Sequence, residues 1–128
     1  MRQPIWLRDD IIRAVNRRQI AEHGGIDAIR DEGALLSALQ KPRDLFAYAS
    51  PTPDLCDLAA AYGFGLARNH PFADGNKRTC LVAMRLFLKL NGIAFEASGA
   101  SKYKMIMQLA AGDVSQDELA DWLRSHCT

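Results

Sequence analysis

The sequence predicts an all-α domain, a compact bundle of about six helices around one central helix. Three observations support this fold class. Apolar residues recur at helical spacing in several segments. Residues 76–90 carry apolar side chains on almost every side, which is typical of a helix surrounded by others. Ser115 and Glu118 form the capping-box pattern of a helix start. The 128 residues, 48% of them hydrophobic, fit a single domain spanning 1–128.

Two helices are predicted before residue 42. The first, over residues 9–22, has acids in its first turn and ends at the His-Gly-Gly of residues 23–25. Its apolar residues fall near one face: Ile11, Ile12, Val15 and Ile20. The second is short; Asp31 is its N-cap and Pro42 ends it. Its inward residues are Leu35, Leu36 and Leu39.

Residues 42–53 contain three prolines and two aromatic residues, and we expect an extended loop or a small hairpin there. Such an apolar segment either packs on the core or contacts a partner. A third helix follows, with Thr52 as its cap and Pro53 at its first position. It ends near Asn69 or His70, because Pro71 disfavours helical geometry in the residue before it.

The remaining chain is predicted to be mostly helical. A fourth helix over residues 76–90 ends at Asn91-Gly92, and residues 93–97 form a short strand or an extended return. Two further helices occupy residues 102–111 and 115–126. No apolar run has the length of a membrane span, and the first ten residues lack a signal core. We therefore expect a soluble, cytoplasmic protein with no membrane partner.

Charge is unevenly distributed along the chain. The overall net charge of +1 does not favour direct nucleic-acid binding. Residues 68–91, however, carry five basic side chains and only one acid, Asp74, so this stretch is +4 and the rest of the chain is −3. A local positive field of this kind suits an anionic ligand or an acidic partner segment. A chance cluster of surface charges is the alternative.

The three cysteines do not form a recognisable chemical motif. Cys56, Cys80 and Cys127 are odd in number, widely separated in sequence and without a C-x-x-C pattern. They support neither a disulfide framework nor a zinc site. We expect them to be chemically inert.

The sequence HPFADGNKRT, residues 70–79, lies directly before the apolar fourth helix. Backbone N–H groups in a first helical turn lack partners, and Gly75 allows close approach there, so the segment can form an anion pocket. Lys77 and Arg78 oppose the helix dipole at a cost of a few tenths to ~1 kcal/mol each unless an anion binds. The P-loop pattern is absent.

Two further residues of this segment suggest catalysis. Asp74 would repel phosphates unless Mg²⁺ lay between them, and Mg²⁺ commonly binds one carboxylate together with phosphate oxygens. His70 carries an imidazole, the side-chain group that most often serves as a general base for a hydroxyl. Phe72 is most simply an anchor for the loop. Taken singly, each of these residues could be structural.

The segment resembles the signature of the Fic/Doc superfamily, whose Fic branch reads H-x-F-x-[DE]-G-N-G-R-x-x-R. Six residues match: His70, Phe72, Asp74, Gly75, Asn76 and Arg78. Lys77 and Leu81 depart from the Fic pattern in the way that Doc ("death on curing") toxins do. Similarity to Doc extends over most of residues 20–95. It implies a Fic/Doc-like helical bundle, with a possible hairpin or flap.

The resemblance implies an ATP-dependent protein kinase toxin that passes the γ-phosphate of ATP to a threonine of elongation factor Tu and arrests translation. His70 would be the base and Asp74 the Mg²⁺ ligand. The residues implied to hold the nucleotide phosphates are Gly75, Asn76, Lys77 and Arg78. The loop around Phe46 and Tyr48 would correspond to the target-docking flap of Fic proteins.

The self-inhibiting helix of many Fic proteins, [ST]-x-x-x-E-[GN], is not reproduced here. Glu32-Gly33 follows Ala28 where the pattern has Ser or Thr, and Leu81 replaces the arginine that the inhibitory Glu would pair with. Restraint is therefore expected from a separate small antitoxin.

Three other functions compete with the toxin kinase. A Fic-type adenylyltransferase, which transfers AMP, is favoured by Gly75 and disfavoured by Lys77 and Leu81. A non-catalytic binding module is disfavoured because His70 and Asp74 are both present. A nuclease is disfavoured by the near-neutral charge and by the single acid of the loop.

Overall fold

A computed structural model of the protein describes residues 3–128, so the first two residues of the predicted 1–128 domain lie outside it. The described residues form six helices: α1 (Asp9–His23), α2 (Glu32–Tyr48), α3 (Leu55–Asn69), α4 (Asn76–Leu90), α5 (Gly99–Ala111) and α6 (Gln116–Ser125). The predicted all-α bundle is confirmed. Extended chain in this region pairs only at two isolated bridges, Ile29 with Phe72 and Phe95 with Cys127. None of the six helices has the length and apolar character needed to cross a membrane.

Helix α3 lies at the centre of the bundle, in contact with α2, α4, α5 and α6. The prediction that α4 is the central helix was wrong, because its Leu90 is 42% exposed and Leu81, Val82 and Leu86 are only half-buried. Small residues explain the position of α3: a Cβ on Gly65 would lie 3.4 Å from the Ala38 backbone of α2. Its alanines and glycines let neighbouring helices approach from several directions.

Helix α2 continues through Pro42, which the sequence predicted as its end. A proline inside a helix removes one backbone hydrogen bond and costs ~3 kcal/mol. Packing offsets this cost, because Pro42 is buried and the Phe46 ring lies 5.8 Å from that of Trp6. The extended loop or hairpin predicted over 42–53 is therefore helical up to Tyr48, whose side chain is 84% exposed.

The predicted start of α3 was also wrong. Thr52 and Pro53 precede the helix, and Asp54 is the N-cap, in a capping box with Asp57. Arg124 of α6 bridges to both carboxylates, so the cap also joins two helices. The predicted end at Asn69 or His70 is confirmed, as is the capping box of Ser115 and Glu118 on α6.

The inward faces of the first two helices differ in part from prediction. In α1 the buried residues are Ile12, Asn16 and Ile20, spaced four apart, whereas Ile11 is exposed. In α2, Leu35 is buried, but Leu36 is 52% exposed. Asp31 caps α2 as predicted, accepting a hydrogen bond from the Ala34 N–H.

The thiol groups are free. Burial raises the pKa of Cys80 to about 12, and burial with the neighbouring Cys127 raises that of Cys56 to about 12. Both thiols are therefore protonated at neutral pH, in agreement with the expectation that they are inert. The fold nevertheless brings Cys56 and Cys127 together, with 3.9 Å between their sulfur atoms.

We expect Gly63→Ala to destabilise the protein by about 1–3 kcal/mol, because the new Cβ would lie 2.3 Å from the Met84 sulfur of α4. Gly99→Ala is the matched control: it also lies in a helix, but nothing is within 4 Å of its Cβ position. That control should be neutral or stabilising by up to ~1 kcal/mol. Urea denaturation measures both, and equal stabilities would contradict the close α3–α4 contact.

Candidate active site

The connection between α3 and α4 brings the predicted functional residues into one open cleft. The cleft has a volume of about 260 Å³ and lies at the N-terminus of α4. Its lining residues are His70, Ala73, Asp74, Gly75, Asn76, Lys77 and Arg78. All six residues predicted to bind, coordinate or catalyse therefore share one surface, with Phe72 buried beneath it.

His70 is the C-cap of α3 and adopts a left-handed conformation, with φ 49° and ψ 56°. No other non-glycine residue in the described range 3–128 has a positive φ. Its N–H donates to the Leu66 carbonyl at 3.1 Å, which closes the helix. A conformation of this kind costs about 1–3 kcal/mol and is maintained only by the surrounding structure. The turn directs the chain away from α3 and leaves the imidazole at the cleft.

Asn76, the first residue of α4, holds the connection in shape from within. Its side-chain oxygen accepts the Phe72 N–H at 3.0 Å, and its amide nitrogen donates to the Phe72 carbonyl at 2.9 Å. The same nitrogen lies 3.3 Å from Nδ1 of His70. Asn76 is 6% exposed and Phe72 is 1% exposed, so water cannot reach the backbone groups of Phe72. The Asn76 side chain satisfies these groups instead. Only its backbone N–H then remains for binding an anion.

Asp74 is half-buried and held from two sides. One carboxylate oxygen, Oδ2, accepts the Ile26 N–H at 2.7 Å. The backbone carbonyl of Asp74 accepts from Nδ2 of Asn16 at 3.0 Å. These contacts fix both the main chain and the side chain of the residue, and they leave Oδ1 for another ligand.

The first turn of α4 is suited to binding anions. Gly75 is the N-cap with φ 78°, and no side chain in the described part of the chain caps the turn. No acid lies in this turn. Lys77 and Arg78 are exposed, and neither forms an ion pair with any residue from 3 to 128. Free N–H groups, the positive end of the dipole and two cations therefore meet at one point.

Sequence reasoning missed two residues that hold this site. Asn16 is buried and donates to Thr79 as well as to Asp74. The sequence did contain an indication of this role, because Asn16 is a polar residue midway between Ile12 and Ile20 on the apolar face of α1. Arg30 donates from Nε to the His70 carbonyl at 2.7 Å, and its local sequence carries no comparable signal.

The chain is similar in sequence to proteins of one known family. A family model described as Fic/DOC family matches residues 6–88. The chain is 32% identical over 112 residues, 87% of its length and 86% of the relative's, to "Protein kinase doc" of Escherichia phage P1. It is 38% identical over 90 residues, 70% of its length and 66% of the relative's, to "Toxin Doc" of Mycolicibacterium smegmatis (strain ATCC 700084 / mc(2)155).

We expect Asn76→Ala to destabilise the protein more than Asn69→Ala. The first change leaves the buried N–H and carbonyl of Phe72 without partners, at about 1–3 kcal/mol for each group. The second removes a single hydrogen bond, to the Ala34 carbonyl. Urea denaturation provides the comparison, and a smaller loss for Asn76→Ala would contradict its role in the connection.

Proposed function

Because the chain belongs to the Fic/Doc family, we propose that it is a Doc-type toxin that acts as a protein kinase. It transfers the γ-phosphate of ATP to a hydroxyl of a target protein. The observation that carries this proposal is the composition of one cleft: an imidazole, a carboxylate and two unpaired cations surround an uncapped helix start. One domain spanning residues 1–128 performs the reaction.

In this reaction His70 accepts the proton of the target hydroxyl as its oxygen attacks the γ-phosphorus of ATP. The bond between the γ-phosphorus and the bridging oxygen breaks, and ADP leaves. Lys77, Arg78 and the backbone N–H groups of the first α4 turn stabilise negative charge on the phosphates. His70 needs no movement of α3 to reach the cleft, because the left-handed turn already directs it there.

Asp74 is the residue that would hold Mg²⁺. Its Oδ2 accepts the Ile26 N–H, and its Oδ1 does not take part in that contact. A single carboxylate is enough for Mg²⁺ here, because the phosphate oxygens of ATP supply further ligands to the ion. The described residues contain no cluster of three or more His, Cys, Asp or Glu for an all-protein metal site. When bound, Mg²⁺ supplies charge neutralisation on the transferred phosphate.

Positions 77 and 81 favour phosphate transfer over AMP transfer. Attack at the α-phosphate requires the β- and γ-phosphates to be held as the leaving group. In the Fic pattern two arginines and a second glycine serve that purpose. Here Leu81 replaces one arginine, and the Lys77 side chain occupies space that the glycine would leave open. The triphosphate then binds with its γ-phosphate nearest His70.

The partners follow from the toxin assignment. The target is a threonine of elongation factor Tu, so the protein acts in the cytoplasm and binds neither nucleic acid nor membrane directly. A small antitoxin restrains it, through an amphipathic, partly acidic segment that folds on binding. The unpaired Lys77 and Arg78 support this charge complementarity.

We expect γ-labelled ATP to label the target and α-labelled ATP not to label it. Lys77→Gly should lower phosphorylation strongly, because it removes a cation from the transferred group. Combined with Leu81→Arg, it should permit some AMP transfer. Autoradiography of the purified target distinguishes the two reactions. If α-labelled ATP labels the target with the wild-type protein, the kinase assignment is wrong and the Fic-type adenylyltransferase is the better assignment.

We expect His70→Ala and His70→Asn to lose ~10²–10⁴-fold in transfer rate, which is the usual contribution of a general base. The Asn variant is included because Asn tolerates the left-handed conformation of residue 70. His23→Ala, which changes an exposed histidine at the end of α1, is the control. Single-turnover kinetics provide the rates, and full activity in the Asn variant would exclude His70 as the base.

A further inference from the structure

Residues 25–31, here called the bracing segment, connect α1 to α2 and run antiparallel to the connection between α3 and α4. Three backbone hydrogen bonds join the two. Ala73 N–H donates to the Ala28 carbonyl at 2.9 Å, and the N–H groups of Arg30 and Asp31 donate to the Pro71 carbonyl at 2.7 and 3.0 Å. These bonds leave little freedom in the register of the two segments.

At its first end the segment contacts Asp74. The Ile26 N–H binds Oδ2 of the carboxylate, as described above. Gly25 packs so closely that a Cβ there would lie 2.9 Å from Cβ of Asp74 and 3.3 Å from its Cγ. The adjacent Gly24 also has a positive φ, yet nothing lies within 4 Å of its Cβ position. The need for glycine at 25 therefore arises from Asp74 as well as from the backbone.

At its other end the segment holds the turn that carries His70. Arg30 donates from Nε to the His70 carbonyl at 2.7 Å and from Nη2 to the Asn69 carbonyl at 2.8 Å. A cation at the C-terminus of α3 satisfies carbonyls that lack helical partners and opposes the negative end of the dipole. Charge-assisted hydrogen bonds are stronger than neutral ones, so these two bonds help to offset the cost of the left-handed conformation of His70.

We infer that the bracing segment sets the geometry of the transfer reaction, with Gly25 and Arg30 as positioning residues for Asp74 and His70, respectively. The inference rests on the proposed function, in which those two side chains hold Mg²⁺ and take the proton. Both groups are aligned by the same seven residues. A shift of the segment therefore displaces the metal-binding carboxylate and the base together, and misplacement by about 1 Å costs on the order of 10²-fold in rate.

The Asp74 contact is tested with Gly25→Ala against Gly24→Ala, because both changes strain a residue with positive φ and only the first reaches Asp74. Calorimetry of ATP binding with and without Mg²⁺ gives the metal enhancement of affinity. In log units of ATP affinity, the Mg²⁺ enhancement should fall in Gly25→Ala by at least half as much as it falls in Asp74→Asn. In Gly24→Ala the enhancement should stay at the wild-type value. Equal enhancement in the two glycine variants would overturn the inference for Asp74.

A second measurement needs neither metal nor activity. The amide proton of Ile26 should move upfield in ¹H–¹⁵N spectra of Gly25→Ala and of Asp74→Ala, because its hydrogen bond to the carboxylate is lost, and should stay in place in Gly24→Ala. An unmoved signal in Gly25→Ala overturns the contact itself. If the signal moves but Asp74→Asn keeps the full Mg²⁺ enhancement of ATP affinity, the contact is real and the proposed metal role of Asp74 is wrong.

The His70 contact is tested with Arg30→Ala and Arg30→Lys. Arg30 is exposed, so both variants should fold, as thermal melting would verify. Arg30→Ala should lower kcat by about ten- to a hundredfold with little change in KM for ATP, since the base moves and the phosphate site does not. Arg30→Lys should recover part of kcat. Wild-type kcat in Arg30→Ala, or a loss confined to KM, would overturn the inference for His70.

Discussion

The hydrogen bonds between Asn76 and both backbone groups of Phe72 are the interaction on which the rest of the site depends. The chain must leave α3 and begin α4 within six residues while it buries the Phe72 ring. Buried backbone groups in so short a connection cannot form regular secondary structure, so a side chain has to satisfy them. Asn76 offers a donor and an acceptor together, and it places the His70 ring against its own amide.

This arrangement explains why the start of α4 is free to bind an anion. Asp, Ser or Thr at the N-cap would accept a first-turn N–H and so fill the position that a phosphate requires. Gly75 cannot do so, and its left-handed φ of 78° directs the chain sharply into the helix. Lys77 and Arg78 then lie where the helix dipole disfavours them, which lowers the stability of the free protein slightly and would favour the binding of an anion there.

Sequence patterns predicted the helices and the grouping of the site, because both depend on local signals. A proline just after a helix, a capping box and a contiguous motif can all be recognised without knowledge of the fold. The predicted end of α2 at Pro42 was wrong, because the buried packing of Pro42 outweighs the local tendency of proline to end a helix. The central position of α3 was missed because small residues bury well without a strong apolar pattern. Arg30 was missed because its partners lie 39 and 40 residues away.

The contacts that shape the site differ in kind from those that stabilise the fold. Stability comes mainly from the buried core around α3, where Tyr62, Phe87 and Leu58 are wholly enclosed. The bracing segment, by contrast, holds the cleft through hydrogen bonds at exposed residues, of which Arg30 and Ile26 are examples. Hydrogen bonds of this kind, which involve a charged group, contribute about 1.5–3 kcal/mol each, less than the total stability of a typical domain. Their loss would therefore displace His70 and Asp74 while the folded state remains dominant, so the proposed catalytic geometry is expected to be separable from global stability.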